Sequence, residues 1–144
     1  MSNIKFDDEK SICWLFPKIM VLLRKKIQKR LNSVDLLWDQ WIVLSQIYRF
    51  EGTNQKSISK SSLKNEASLT RTINFLENNN LVRREVSKKD KRAFLIYTTD
   101  QGKKIFEESE KLMDEVNNEI NEIFNQEDLK VMQSLLLDLF ENLE

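Results

Sequence analysis

Residues 65–99 read NEASLTRTINFLENNNLVRREVSKKDKRAFLIYTT (Asn65–Thr99), and a change of periodicity inside them decides the architecture. Leu69, Ile73 and Leu76 recur at one-turn spacing, which marks a helix with one apolar face. From Leu81 the pattern becomes that of two short strands, Leu81–Val86 and Ala93–Thr98, the second rich in β-formers and free of breakers. Asn65 is a suitable N-cap for a helix from Glu66 to about Asn79, and Asn78-Asn-Asn80 can end it because Asn tolerates the left-handed conformation. Between the strands lies Ser87-Lys-Lys-Asp-Lys-Arg92, with four positive charges and one negative. It is too charged to bury and too short to fold alone, so the stretch predicts a helix that hands over to a hairpin with an exposed basic tip.

The helix points Leu69, Ile73 and Leu76 inward, with Phe75 at the margin. Ser68, Thr70, Arg71, Asn74 and Asn78 are left facing out, mostly in the N-terminal half. That half reaches base edges when the second helix of a helix-turn-helix enters the major groove, where Arg bridges guanine acceptors and Asn, Ser or Thr pairs with other edges. A solvated polar face would have a similar composition. The basic tip, Lys88, Lys89, Asp90, Lys91 and Arg92, either keeps a sheet edge soluble or reaches along DNA into a narrow minor groove.

The flanks are helical. Trp14-Leu-Phe16 precede Pro17, which suits a helix's first turn or kinks a longer helix. Ile19, Met20, Leu22, Leu23, Ile27 and Leu31 then form an apolar face. A second helix runs through Trp38, Trp41, Ile42, Leu44 and Ile47 towards Gly52, a left-handed cap. The serine-rich Gln55–Leu63 predicts a short helix anchored by Ile58 and Leu63. After Thr99, a capping residue, Ile105, Ser109, Leu112, Val116, Ile120 and Ile123 make a near-heptad stripe, widened by Phe106, Met113 and Phe124. Beyond Asn125–Asp128 a last helix carries Leu129, Met132, Leu135, Leu136, Leu139, Phe140 and Leu143. So much apolar surface predicts a partner, most simply a second copy, which would set two reading helices about one turn of DNA apart on a palindromic site.

Composition bounds the rest. A chain of 144 residues with 32% charged residues, two Gly and one Pro predicts a single, mainly helical domain. No apolar run approaches the ~18 residues of a membrane span, and the N-terminus lacks the regions of a signal peptide, so a cytoplasmic location is expected. The chain has one cysteine and no histidine, which excludes an internal disulfide, the usual zinc sites and histidine-dependent catalysis. No cofactor, metal site or enzymatic activity is expected. Net charge is zero but partitioned: residues 56–98 hold ten Lys/Arg against four Asp/Glu, whereas residues 99–144 hold four against thirteen. A basic middle beside an acidic tail concentrates positive potential where a polyanion would dock.

In this order and spacing, the residues resemble the MarR family of winged helix-turn-helix regulators, over roughly Leu37 to Glu108. Leu37-Trp-Asp-Gln-Trp-Ile-Val-Leu44 is similar to the family's second-helix pattern. Ser68-Leu-Thr-Arg71, Leu76-Glu77 and Leu81-Val-Arg-Arg84 look like its recognition helix and the start of its wing. Asp90-Lys-Arg92 matches its Asp-x-Arg signature, and Thr99-Asp-Gln-Gly102 its Thr-x-x-Gly. The sequence departs at Asn80 (usually Gly), at Thr98 (usually Leu) and at Ser62-Leu63-Lys64 (apolar, Gly, apolar).

The resemblance implies a mainly α fold with a two-stranded β wing and long N- and C-terminal dimerisation helices. Residues 36–98 would form the DNA-binding lobe, and 1–32 with 99–144 the dimerisation lobe. It implies major-groove contacts from Ser68, Thr70 and Arg71, joined by Asn74 on the same face. In the wing, Arg92 would reach the minor groove with Asp90 fixing the turn. It also implies a homodimeric repressor of transcription, binding double-stranded DNA at a palindromic operator and released by a small phenolic effector or an oxidant. Cys13 is the candidate redox residue, but its neighbours Ile12 and Trp14 are apolar and no His activates it, so a buried structural thiol is expected. The rival from another class is a helical protein–protein interaction module whose acidic tail binds a partner without DNA.

Overall fold

In the computed structural model, which describes residues 4–62 and 64–144, the elements follow the order read from the periodicity. They are α1 (Ile12–Leu31), α2 (Trp38–Arg49), α3 (Gln55–Ser62), α4 (Glu66–Asn78), β1 (Val82–Val86), β2 (Phe94–Thr98), α5 (Asp100–Asn121) and α6 (Gln126–Leu143), with a 3-10 turn at Asn32–Val34. Met1–Asn3 of the polar arm and the proposed anchor Leu63 lie outside the described residues.

The main core forms where α2, α3, α4 and the hairpin meet α5. Val43, Leu44, Ile47, Ile58, Leu69, Ile73, Leu76, Val82, Ile96 and Phe106 are buried together there. Leu69, Ile73 and Leu76 are fully buried, and at about 1.5–3 kcal/mol per side chain this face holds α4 in place. Phe106, expected only to widen the α5 stripe, instead sits at the centre, stacked on Trp41 (5.7 Å) and tilted against Tyr48 (4.2 Å). Trp38 and Trp41 share a face as their spacing requires and stack at 5.5 Å. The stripe's polar member, Ser109, is buried but satisfied: its hydroxyl accepts from Trp41 Nε1 and donates to the Phe106 carbonyl, both at 2.7 Å.

Gln28 joins α1 to α2. Its Nε2 donates to the Leu36 carbonyl and its Oε1 accepts from the Trp38 N–H, which spans the turn through the left-handed Asp35 (φ 55°). A smaller core of Ile27, Leu31 and Val116 lies beside this link. On the surface, Lys26 and Arg30 of α1 both pair with Glu119 of α5. Those two hydrogen bonds pull the Glu119 carboxyl down from its ordinary 4.5 to about 2.

The N-terminal part of α1 is helical but mostly exposed. Of the two places open to Pro17, the longer helix is the one realised: it is the sixth residue of α1, where its missing N–H leaves the Cys13 carbonyl without the usual helical donor. Of the apolar face, only Ile27 and Leu31 are buried, while Ile12, Leu15, Phe16, Ile19, Met20 and Leu22 are exposed. α6 has no buried residue at all. Periodicity identified these faces correctly as apolar, but one chain does not supply what covers them.

Candidate nucleic-acid interface

The stretch Asn65–Thr99 builds a helix, a turn and a hairpin that brace one another. Asn65 caps α4, its Oδ1 accepting from the Ser68 N–H at 2.8 Å. The preceding turn is held by Ser59, whose hydroxyl donates to the Lys64 carbonyl, and by a Lys64–Asp39 ion pair at 3.6 Å. At the far end Asn80 adopts φ 58°, the left-handed geometry that its sequence position predicts.

Ser68 is half-buried, and Thr70, Arg71 and Asn74 are exposed along α4. Two of the four are already engaged. The Thr70 hydroxyl donates to the Glu66 carbonyl (2.8 Å) and accepts from Gln55 Nε2 of α3 (2.7 Å). Asn74 Oδ1 accepts from Arg84 Nη2 of β1 at 2.6 Å. Arg71 makes no ion pair or side-chain hydrogen bond among the described residues, so its five donors face solvent.

β1 and β2 pair antiparallel, Val82 opposite Thr98 through Val86 opposite Phe94. Alternation puts Val82, Arg84 and Val86 on the face toward α4, and Arg83 and Glu85 on the other, where Arg83 lies 4.5 Å over the Tyr97 ring. The tip is built by its own side chains. Ser87 Oγ accepts from the N–H groups of Lys89 and Asp90 (3.3 Å each), and Asp90 Oδ1 accepts from the Arg92 N–H at 3.0 Å. Asp90 is therefore a turn-former whose carboxylate is directed at the loop's own backbone. Lys88, Lys89, Lys91 and Arg92 are exposed, and among the described residues none of them forms an ion pair.

A third short strand segment and a helix cap anchor the hairpin's root. The Ile96 N–H donates to the Thr53 carbonyl at 2.8 Å, and Gly52, at φ +80°, packs against the Tyr97 ring. The Thr99 hydroxyl accepts from the Gly102 N–H (2.9 Å) and donates to the Asn80 carbonyl (2.6 Å), tying the end of α4 to the start of α5.

This arrangement of elements matches known proteins closely. Residues 36–94 match the sequence profile of the MarR family. The segment 36–94, about two-fifths of the chain, is thus similar to the MarR family. The chain's fold is shared with MepR of S. aureus in a complex with DNA (TM-score 0.87, 22% identity, 93% of this chain and 99% of that one). It is shared with the repressor CouR bound to a 23-mer DNA duplex (TM-score 0.86, 18% identity, 96% and 99%) and with MarR itself (TM-score 0.74, 21% identity, 89% and 93%). The fold of these winged helix-turn-helix proteins is thus shared over 89–96% of the chain.

Within this fold the departures from the family pattern have local causes. Thr98 is buried where Leu is usual because Glu51, just past α2, accepts both its N–H (3.0 Å) and its hydroxyl. Gly102 of the Thr-x-x-Gly motif is required by contact, since a Cβ there would stand 1.9 Å from the Leu81 carbonyl oxygen. Cys13, expected to be a buried structural thiol, is exposed, because no described residue covers that side of the first turns of α1. Arg84, Gln55 and Glu51 were not singled out from sequence. Only the strand register, which places Arg84 on the inner face, carried a signal for any of them.

Proposed function

We propose that this protein is a sequence-specific double-stranded DNA-binding regulator of transcription, acting in the cytoplasm as a homodimer on a palindromic operator. The observation that carries the reading is the pairing of an α4 edge bearing the unengaged Arg71 with a self-braced hairpin tip bearing four exposed cations. Base contacts are assigned to Ser68, Thr70, Arg71 and Asn74, and minor-groove and phosphate contacts to Lys88, Lys89, Lys91 and Arg92, with Asp90 shaping the loop. Repression follows if the operator overlaps a promoter and the bound dimer excludes polymerase.

The second copy is assigned to the groove of about 530 Å³ between α1 and α6, lined by Leu15, Phe16, Ile19, Val131, Leu135 and Leu139. A small, largely apolar effector is assigned to the pocket of about 270 Å³ where α1, α2 and α5 meet, under Trp38 and Trp41. A ligand there would quench tryptophan fluorescence and weaken DNA binding together. The oxidant route requires that Cys13→Ser abolish any peroxide response of DNA binding, and an unchanged response would end it.

The test is selection of bound duplexes from the source genome, followed by titration at several salt concentrations. Affinity should fall steeply with salt, by a log–log slope of about 0.9 for each phosphate neutralised. Arg71→Ala should relax sequence preference, and Arg92→Ala should weaken binding with unchanged thermal unfolding. Wild-type affinity in both variants would sink the site assignment, and salt-insensitive behaviour with no duplex selected would favour the protein-interaction module.

A further inference from the structure

Arg84 is where the hairpin grips the reading helix. It lies on the inner face of β1 opposite Ile96, with Val82 and Val86 as its neighbours on that face. Its guanidinium reaches across to α4 and straddles one turn. Nη2 donates to Asn74 Oδ1 at 2.6 Å, and Nε lies 3.5 Å from Glu77 Oε2. Asn74 and Glu77 are three residues apart and share a helix face, so the amide holds the planar group by a hydrogen bond and the carboxylate by charge alone, since the buried Nε makes no hydrogen bond among the described residues.

A guanidinium has five N–H donors and no acceptor. Whatever the rotation of the Asn74 carboxamide, only its oxygen can meet Arg84. Its Nδ2 therefore points away from Arg84, and it has no hydrogen-bond partner among the described residues. Asn normally reads adenine with both groups, donating to N7 and accepting from N6. With Oδ1 turned toward Arg84 and one of its two lone pairs used, the carboxamide is no longer free to present both groups to one adenine edge.

Resting on the DNA-binding reading above, we propose that Arg84 is a positioning residue that sets the base preference of Asn74. It holds the carboxamide so that a donor alone faces the groove. Asn74 then favours an acceptor edge, guanine N7/O6 or thymine O4, over adenine, whose N7 can still accept but whose N6 amino donor is left without an acceptor. Arg84 itself touches neither base nor phosphate.

The experiment takes the half-site selected by the wild-type protein and measures binding to duplexes carrying each of the four base pairs at every position. Wild type, Asn74→Ala, Arg84→Met and Asn74→Asp are compared, with a thermal melt of each. One position should lose roughly tenfold discrimination in Asn74→Ala. There, wild type should prefer guanine or thymine, and Arg84→Met, which frees the amide oxygen, should move the preference toward adenine. Arg84→Met should also leave the salt slope unchanged. Asn74→Asp keeps an oxygen for Arg84 and so retains the fold even if Arg84→Met does not. It exchanges the outward donor for an acceptor and should move the preference to cytosine or adenine.

An Asn74-dependent adenine preference in wild type would overturn the proposal, as would unchanged preferences in Arg84→Met or Asn74→Asp. So would a salt slope lowered by about 0.9 in Arg84→Met, the mark of a phosphate contact. Absence of salt-sensitive binding by wild type removes the parent reading as well, whereas any of the former patterns with normal wild-type binding removes this proposal alone.

Discussion

Gly102→Ala is a substitution whose sign depends on which of two opposed effects prevails. Gly102 is the third residue of α5, and replacing a helical glycine by alanine ordinarily stabilises by up to about 1 kcal/mol. Here the added Cβ would meet the Leu81 carbonyl oxygen at 1.9 Å and its carbon at 2.9 Å. The obstacle is backbone, and that oxygen already accepts the Thr99 N–H at 3.0 Å, so it cannot turn aside without breaking the bond that joins β2 to the end of α4. The start of α5 must move outward by more than 1 Å. Overpacking of this kind costs about 1–3 kcal/mol, and the upper end applies where a main-chain atom must shift. After subtraction of the propensity gain, the net loss is about 2 kcal/mol. At 2–4 °C per kcal/mol, the melting midpoint should drop by about 4–8 °C. Thermal unfolding followed by circular dichroism, at one protein concentration for both proteins, measures it. An equal or higher midpoint in Gly102→Ala would refute the close approach of α5 to Leu81.

Three further outcomes are expected. Leu76→Ala, emptying a fully buried site on α4, should cost about 2–5 kcal/mol in denaturant titration. Thr98→Val removes the hydroxyl that Glu51 accepts while keeping shape, and should destabilise by about 1.5 kcal/mol, an effect that largely disappears in a Glu51→Ala background. Glu119 has a folded-state pKa below its ordinary value, so its contribution is present above pH about 4.5 and is lost as pH falls toward about 2. Glu119→Gln should therefore narrow the stability difference from wild type on acidification across that window, and a constant difference would show that the Lys26 and Arg30 pairs carry none of it.

The elements legible in the sequence were those whose information is local. Leu69, Ile73 and Leu76 specify one face of α4 by spacing, and Asn65, Thr99 and Asn80 perform capping and turn roles that depend only on adjacent backbone. Phe106 was misplaced from centre to margin because its importance comes from Trp41 and Tyr48, about sixty residues away, which no window on α5 contains. Cys13 was misjudged for the converse reason: apolar neighbours in sequence suggest burial, yet burial requires something to pack against. On the candidate interface, the exposed residues were readable as a set. Their hydrogen-bonding state was not, since whether Thr70 and Asn74 are free depends on Gln55 and Arg84 arriving from other elements.

The hairpin tip fixes itself before anything approaches it. Ser87 and Asp90 bind the N–H groups of Lys89, Asp90 and Arg92, so the conformational entropy of the loop is surrendered on folding rather than on association. Loosening that turn, by Ser87→Ala for example, leaves every positive charge in place and leaves electrostatic attraction at a distance intact. The loop must then be ordered at the moment of contact, so the loss appears as an entropic penalty in calorimetry and as faster dissociation, with the rate of encounter unchanged.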